Sequence, residues 1–160
     1  AAARAKSQGA DVVIATLHWG TEYSTRSNAM QRQLAAALTA SPNIDAVVGH
    51  HAHVLQEAVI MNGKPVVYGM GNLWSGQGPW KGQQYGQQGV VVKLTFAVEN
   101  AVTRYVSGSY VPTLTIPGTW QVMDARRVTN SRQWDQACQS ITNAAMQLKV
   151  LTGPKTCPKH

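Results

Sequence analysis

A chain of 160 residues is long enough for one domain with a sizeable core, and 44% hydrophobic against 13% charged residues excludes a disordered segment. No apolar run reaches the length of a membrane span, and the N-terminus AAARAKSQGA lacks an apolar centre, so the expectation is a chain that neither spans a membrane nor carries its own signal peptide. The formal net charge of +7 fits either general solubility or attraction to an anionic polymer or envelope surface. The Lys and Arg residues do not bunch beyond Arg126, Arg127, Arg132 and the tail, and no nucleic-acid motif occurs, so nucleic acid is not an expected partner.

DVVIATLH (Asp11 to His18) is a near-continuous apolar run and predicts a strand buried on both faces. NAMQRQLAAALTA predicts a helix that Asn28 caps with Gln31 three residues on. Met30, Leu34, Ala37 and Leu38 form its expected apolar face, and Pro42 ends it. IDAVVGHH predicts a second buried strand, and strand, helix, strand predicts a βαβ unit with two neighbouring parallel strands. EAVIMNGKPVVYG predicts a hairpin through Asn62-Gly63. The segment from Gly71 to Gly89, rich in Gly and Gln and carrying Trp74, Trp80 and Tyr85, predicts a surface loop whose aromatics can pack over a site.

A second hairpin is expected to turn near Glu99-Asn100, with more strand toward Gln121-Met123. A last helix is predicted from about Ser131 to Val150, with Trp134, Ala137, Cys138, Ile141, Ala145 and Leu148 as its apolar stripe. Residues 1–160 read as one domain of α/β class: a βαβ unit, then β-hairpins, then a C-terminal helix. Two cysteines, Cys138 and Cys157, are compatible with one disulfide and an oxidising compartment, while the place of Cys138 on the apolar stripe also suits a core thiol.

The chemistry-bearing residues gather at one place. DAVVGHHAHVLQ puts His50, His51 and His53 directly after the second strand, and His18 follows the first. The C-terminal ends of parallel strands form the edge where ligands collect in open α/β sheets, so four of the five histidines converge on one rim. Asp11 and Asp45 lie at the opposite ends of the same strands and are discounted. If the chain stays extended past Gly49, His51 and His53 share a face and His50 points away. Two imidazoles plus His18 suit a transition metal such as Zn²⁺, Mn²⁺ or Fe. His50 is then an outer residue or an alternative ligand. Glu22 is the nearest carboxylate and could orient a ligand or act on substrate, with Glu57 a weaker candidate.

HWGTEY (His18 to Tyr23), DAVVGHHAHVLQ and VVYGMGNLW occur in an order and spacing that resembles the CapA family, bacterial capsule-synthesis or poly-γ-glutamate biosynthesis proteins with a calcineurin-like metallophosphoesterase fold. The likeness is strong over about residues 9 to 75. It implies that the late histidine ligands of that superfamily fall on His18, His51 and His53. The glycine at 49 stands one position further back than in most phosphoesterases, which leaves His50 and His51 as alternatives. Ala52 replaces a common Pro, GMGNL replaces the usual SLGNF, and Asn72 matches the family's GN asparagine. The early ligands of the superfamily, in Asp-x-His, Gly-Asp and Gly-Asn-His segments, have no counterpart here.

The resemblance therefore implies the C-terminal half of a calcineurin-like sandwich, two divalent metals in the intact protein, and a missing N-terminal half as partner. Chemically, three imidazoles without a bridging carboxylate are half of a dinuclear site. Two functions are expected: a metal-dependent phosphoesterase-type hydrolase of capsule or poly-γ-glutamate production, with this chain alone inactive, or a non-catalytic envelope protein that binds or exports an anionic polymer. Both imply an extracytoplasmic or envelope location in a bacterium. Sheet surface left open by the missing half makes a homo-oligomer or swapped dimer a further expectation.

Overall fold

The computed structural model describes residues 1–78, 81–129 and 131–157. Trp80, His160 and the side chain of Arg132 lie outside the described residues. In chain order the elements are α1 (Ala2–Ser7), β1 (Ile14–His18), α2 (Ala29–Ala40), β2 (Ala46–His50), β3 (Ala58–Met61), β4 (Lys64–Val67), β5 (Gln88–Glu99), β6 (Val102–Thr115), β7 (Val122–Asp124), a 3-10 turn (Ala125–Arg127) and α3 (Ser131–Gln147). This is a mixed α/β fold.

The first sheet has the order β1-β2-β4-β3. β1 and β2 pair in parallel from Ile14 opposite Ala46 to His18 opposite His50, as the βαβ reading expects. β4 adds in parallel to β2, and β3 returns antiparallel. Asn62 and Gly63 turn the β3–β4 hairpin with φ of 51° and 74°, the left-handed pair that a two-residue hairpin needs. The second sheet is β5-β6-β7, all antiparallel. Its long hairpin turns at Asn100-Ala101, one residue beyond the expected place, with φ of 51° and 62°.

Three apolar clusters hold the layers. Trp19, Ala35, Ile44, Val47, Val66 and Tyr68 lie between α2 and the first sheet. Leu55, Val67, Val90, Tyr110, Ala144 and Leu148 join the two sheets to α3. Leu114, Ile116, Val128, Ala137 and Ile141 seal the far end of α3.

Three expectations about burial are corrected. β1 is an edge strand, not one buried on both faces: Ile14 is 44% exposed. Val12, Ile14, Thr16, Val48 and Met70, with Val92, Leu94 and Phe96 of β5, wall an apolar groove of about 440 Å³ there. α2 buries Gln31, Ala35 and Thr39, while Met30 and Leu34 are exposed. The capping box explains the rotation. Asn28 Oδ1 accepts from the Gln31 amide and Gln31 Oε1 accepts from the Asn28 amide, both at 2.9 Å. Gln31 Nε2 then donates to Gln56 Oε1 at 2.8 Å, so a polar contact faces the sheet. α3 ends at Gln147, three residues early, and its inner stripe runs through Ala144 rather than Ala145.

Cys138 and Cys157 stand as a disulfide pair with Cα atoms 4.9 Å apart. The tail also pairs with β6, where Thr152 accepts from the Tyr110 amide and donates to Gly108, both at 2.9 Å.

Candidate metal centre

The rim is assembled from three stretches. β1 and β2 end in register at His18 and His50. Beyond them the chain HWGTEY folds onto the chain HHAH through two backbone bonds, Trp19 amide to His50 carbonyl at 3.1 Å and Tyr23 amide to Ala52 carbonyl at 2.7 Å. Buried Gln56 closes the same loop by donating to the carbonyls of Ser24 and Arg26 at 2.9 and 3.1 Å. Under the rim, the Trp19 indole donates to the Tyr68 carbonyl at 2.9 Å and stacks on the Tyr68 ring. Burial pushes the Tyr68 phenol above its ordinary pKa, with the nearby Glu57 charge acting in the same direction.

The histidines gather, by a different route from the one expected. The chain does not stay extended past Gly49. His51 and His53 have φ of 95° and 59°, in the left-handed region that side chains with a Cβ rarely occupy. The His51 ring lies 4.4 Å from that of His18 and 6.2 Å from that of His53, centroid to centroid. His50 makes no ring contact or side-chain hydrogen bond among the described residues. Tyr23, also at positive φ, stacks on His53 at 5.8 Å.

His53 is the most constrained of the group. Its Nδ1 is 3.0 Å from Asn72 Oδ1, and its Nε2 is 3.7 Å from Glu22 Oε1. Both residues are partly exposed, so Glu22 is loosely held beside the ring rather than locked to it. Asn72 sits where the sheets meet: its amide donates to the Gln88 carbonyl at 3.0 Å, directly after the Leu55–Met70 and Gly71–Gly89 bridges.

Other candidates separate from the rim. Glu57 accepts from the Ser27 amide at 3.2 and 3.3 Å and from the Ser27 hydroxyl, so its carboxylate serves the loop before α2. Asp45 accepts from the Val13 amide at 2.7 Å and pairs with Lys6 at 2.8 Å, which fixes the strand starts. Tyr23 and Gln56, both inside the quoted motifs, join the rim without being candidates in the sequence. The run from GHH to Gln56 was the available signal for Gln56.

Neutral imidazoles are donors for Zn²⁺, Mn²⁺ or Fe, so the chemistry of the set fits one such ion. Among the described residues no three His, Cys, Asp or Glu side chains stand ready to hold a metal ion. The left-handed turns at His51 and His53 and the grip of Asn72 on His53 set the rings side by side instead.

Fold and rim together define a parallel βαβ unit with a histidine cluster at its carboxyl edge. Residues 1–77 match the family described as Bacterial capsule synthesis protein PGA_cap. Over much the same stretch the chain is also similar to two curated capsule-synthesis proteins. The PGA biosynthesis protein CapA of Bacillus subtilis (strain 168) is 44% identical over 69 residues, covering 43% of this chain and 18% of the relative. The capsule biosynthesis protein CapA of Bacillus anthracis is 37% identical over 73 residues, covering 46% and 18%. The chain thus spans less than a fifth of either relative. Among solved structures, the calcineurin-like phosphoesterase YfkN from Bacillus subtilis is similar over 91% of this chain and 39% of its own, at 20% identity and a TM-score of 0.43. No helix among the described residues is long and apolar enough to cross a membrane.

Proposed function

We propose that the chain carries the histidine half of a metal-dependent phosphoesterase-type site in a CapA-like protein of capsule or poly-γ-glutamate production. The observation that carries this reading is the gathering of His18, His51 and His53 at the carboxyl edge of two parallel strands. These three residues would hold the metal, and Glu22, beside His53, would orient a ligand or handle a proton. His50, whose side chain makes no ring contact or hydrogen bond among the described residues, is the alternative for the His51 role or for proton transfer. A divalent metal in such a site polarises a phosphoryl oxygen and activates water. The chain's own residues position that ion: the backbone bonds between the two loops fix the distance from His18 to the HHAH segment, and Tyr23 covers one face of His53.

Among the described residues Glu22 is the carboxylate beside the cluster and it touches His53 alone, so a second metal and the full site call for residues from a further part of the protein. We read residues 1–160 as part of a larger domain whose remaining half covers the open β1 edge and its groove. An envelope location follows from the capsule role of the relatives. A second reading, binding of an anionic polymer without catalysis, is favoured by the net charge of +7 and by a cleft of about 770 Å³ where Arg26, Arg32 and Lys149 outnumber one carboxylate, Glu57.

The test is phosphodiester hydrolysis with added Mn²⁺ or Zn²⁺ by this chain, by the full-length protein, and by the full-length protein with His51→Ala and His53→Ala. Activity is expected only in the unmutated full-length protein. Turnover by this chain alone would overturn the half-site reading. Polymer binding without any turnover would favour the second reading.

A further inference from the structure

The Asn72 amide nitrogen faces four acceptors: the Gly86 carbonyl at 2.8 Å, and the His53 carbonyl, the Ser75 hydroxyl and Gln77 Oε1, each at 3.3 Å. An amide NH₂ can donate to the Gly86 and His53 carbonyls, which only accept, whereas an amide oxygen in that place would be set against both carbonyl oxygens. This fixes the orientation of the side chain and turns Oδ1 toward His53 Nδ1, 3.0 Å away. An amide oxygen only accepts, so the hydrogen must sit on Nδ1. In a neutral ring Nε2 then keeps the lone pair. Nε2 is the nitrogen on the Glu22 side, while Tyr23 covers the ring face.

We propose that Asn72 is a positioning residue that locks His53 in the Nδ1–H tautomer and so presents Nε2 as a ligand lone pair. The ligand half of this rests on the metal reading above; the tautomer half does not. Because Asn72 is itself anchored to Gln88 at the start of β5 and to Gly86 just before it, the second sheet sets the donor atom offered at the edge of the first. Metal-ligating histidines depend on such a partner on the other ring nitrogen.

The test is nitrogen-15 spectroscopy of the full-length protein labelled at histidine, metal-free and well above the imidazole range, reading which ring nitrogen of His53 bears the hydrogen. The wild type is expected to show Nδ1–H alone. Asn72→Leu should shift His53 to the Nε2–H form and weaken binding of Zn²⁺ alone, read by calorimetry, about ten- to a hundredfold. Ser75→Ala with Gln77→Ala loosens the loop yet keeps the Asn72 oxygen, and should keep the Nδ1–H form. An Nε2–H wild type, or an unchanged tautomer in Asn72→Leu, overturns the proposal. A tautomer shift with no Zn²⁺ binding in any sample supports the positioning role and overturns the metal reading.

Discussion

At His51 the backbone bends with φ of 95° and at His53 with φ of 59°. Each such residue with a Cβ costs on the order of 1–3 kcal/mol, and such strain persists where the surroundings impose it. Here the Tyr23–Ala52 bond, the Gln56 side chain and Asn72 impose it from three sides. Glycine adopts this region freely and alanine does not. His51→Gly should therefore be more stable than His51→Ala by about 1 kcal/mol in denaturant unfolding, the reverse of the usual order. Both should lose Zn²⁺ affinity alike. Alanine proving the more stable would mean that His51 is not strained. The sequence showed which residues reach the rim, because strand ends and the G-HHAH spacing are local. It did not show how the rings lie, because the expected extended chain gives way to two left-handed turns set by contacts from distant loops. The Asn72 contact was illegible for the same reason: it joins His53 to a residue nineteen positions on, held in place by Gly86.

β2 owes its fit to one residue. A Cβ on Gly49 would lie 2.0 Å from the Tyr68 carbonyl and 2.1 Å from Trp19 Nε1, inside the hydrogen bond that joins them. Neither atom is a flexible tip, so Gly49→Ala should break the Trp19–Tyr68 bond and cost about 1–3 kcal/mol. Unfolding and the near-ultraviolet tryptophan signal would report it, and an unchanged signal would contradict the packing. At β7 the Arg126 guanidinium hydrogen-bonds Asp124, at 2.9 and 3.0 Å from Nε, and holds its carboxyl below the ordinary carboxylate range. A folded-state pKa lowered in this way adds stability above the unfolded carboxylate pKa. That stability is lost as pH falls through the folded value. The pair is half-exposed, so the gain should stay within about 1 kcal/mol. Asp124→Asn should lose it at neutral pH and match the wild type in acid; a difference that grows in acid would contradict the assignment. Among the elements, hairpins were legible from turn residues alone. The face of α2 was not, because a buried Gln31–Gln56 contact outweighed the apolar count.

The whole molecule is closed on one side and open on the other. On the closed side the tail lies along β6, Gly153 fits against the Tyr110 ring, and the Tyr110 hydroxyl donates to Pro154 at 2.9 Å. The Cys138–Cys157 link closes a span of 19 residues and should add about 3 kcal/mol on a chain-entropy account. Reduction should lower the unfolding midpoint while leaving the histidine rim unchanged, and mass spectrometry finding two free thiols in oxidised protein would remove the link.

On the open side, β1 has no outer neighbour among the described residues and Ile14 faces the apolar groove. Parallel strands are normally covered on both faces, so the groove fits a surface that the rest of a longer protein buries. Burying an isoleucine fully stabilises by about 1.5–3 kcal/mol, whereas a half-exposed one has little of that to lose. Ile14→Ser should therefore destabilise the full-length protein by about 1–2 kcal/mol and this chain by no more than about 0.5 kcal/mol. Hydrogen exchange offers an independent reading. The β1 amides not bonded to β2 should exchange freely in this chain and be protected in the full-length protein. Equal destabilisation in both proteins, with equal exchange at β1, would mean that the edge is a finished surface. The histidine rim would then have to work with the residues this chain already holds.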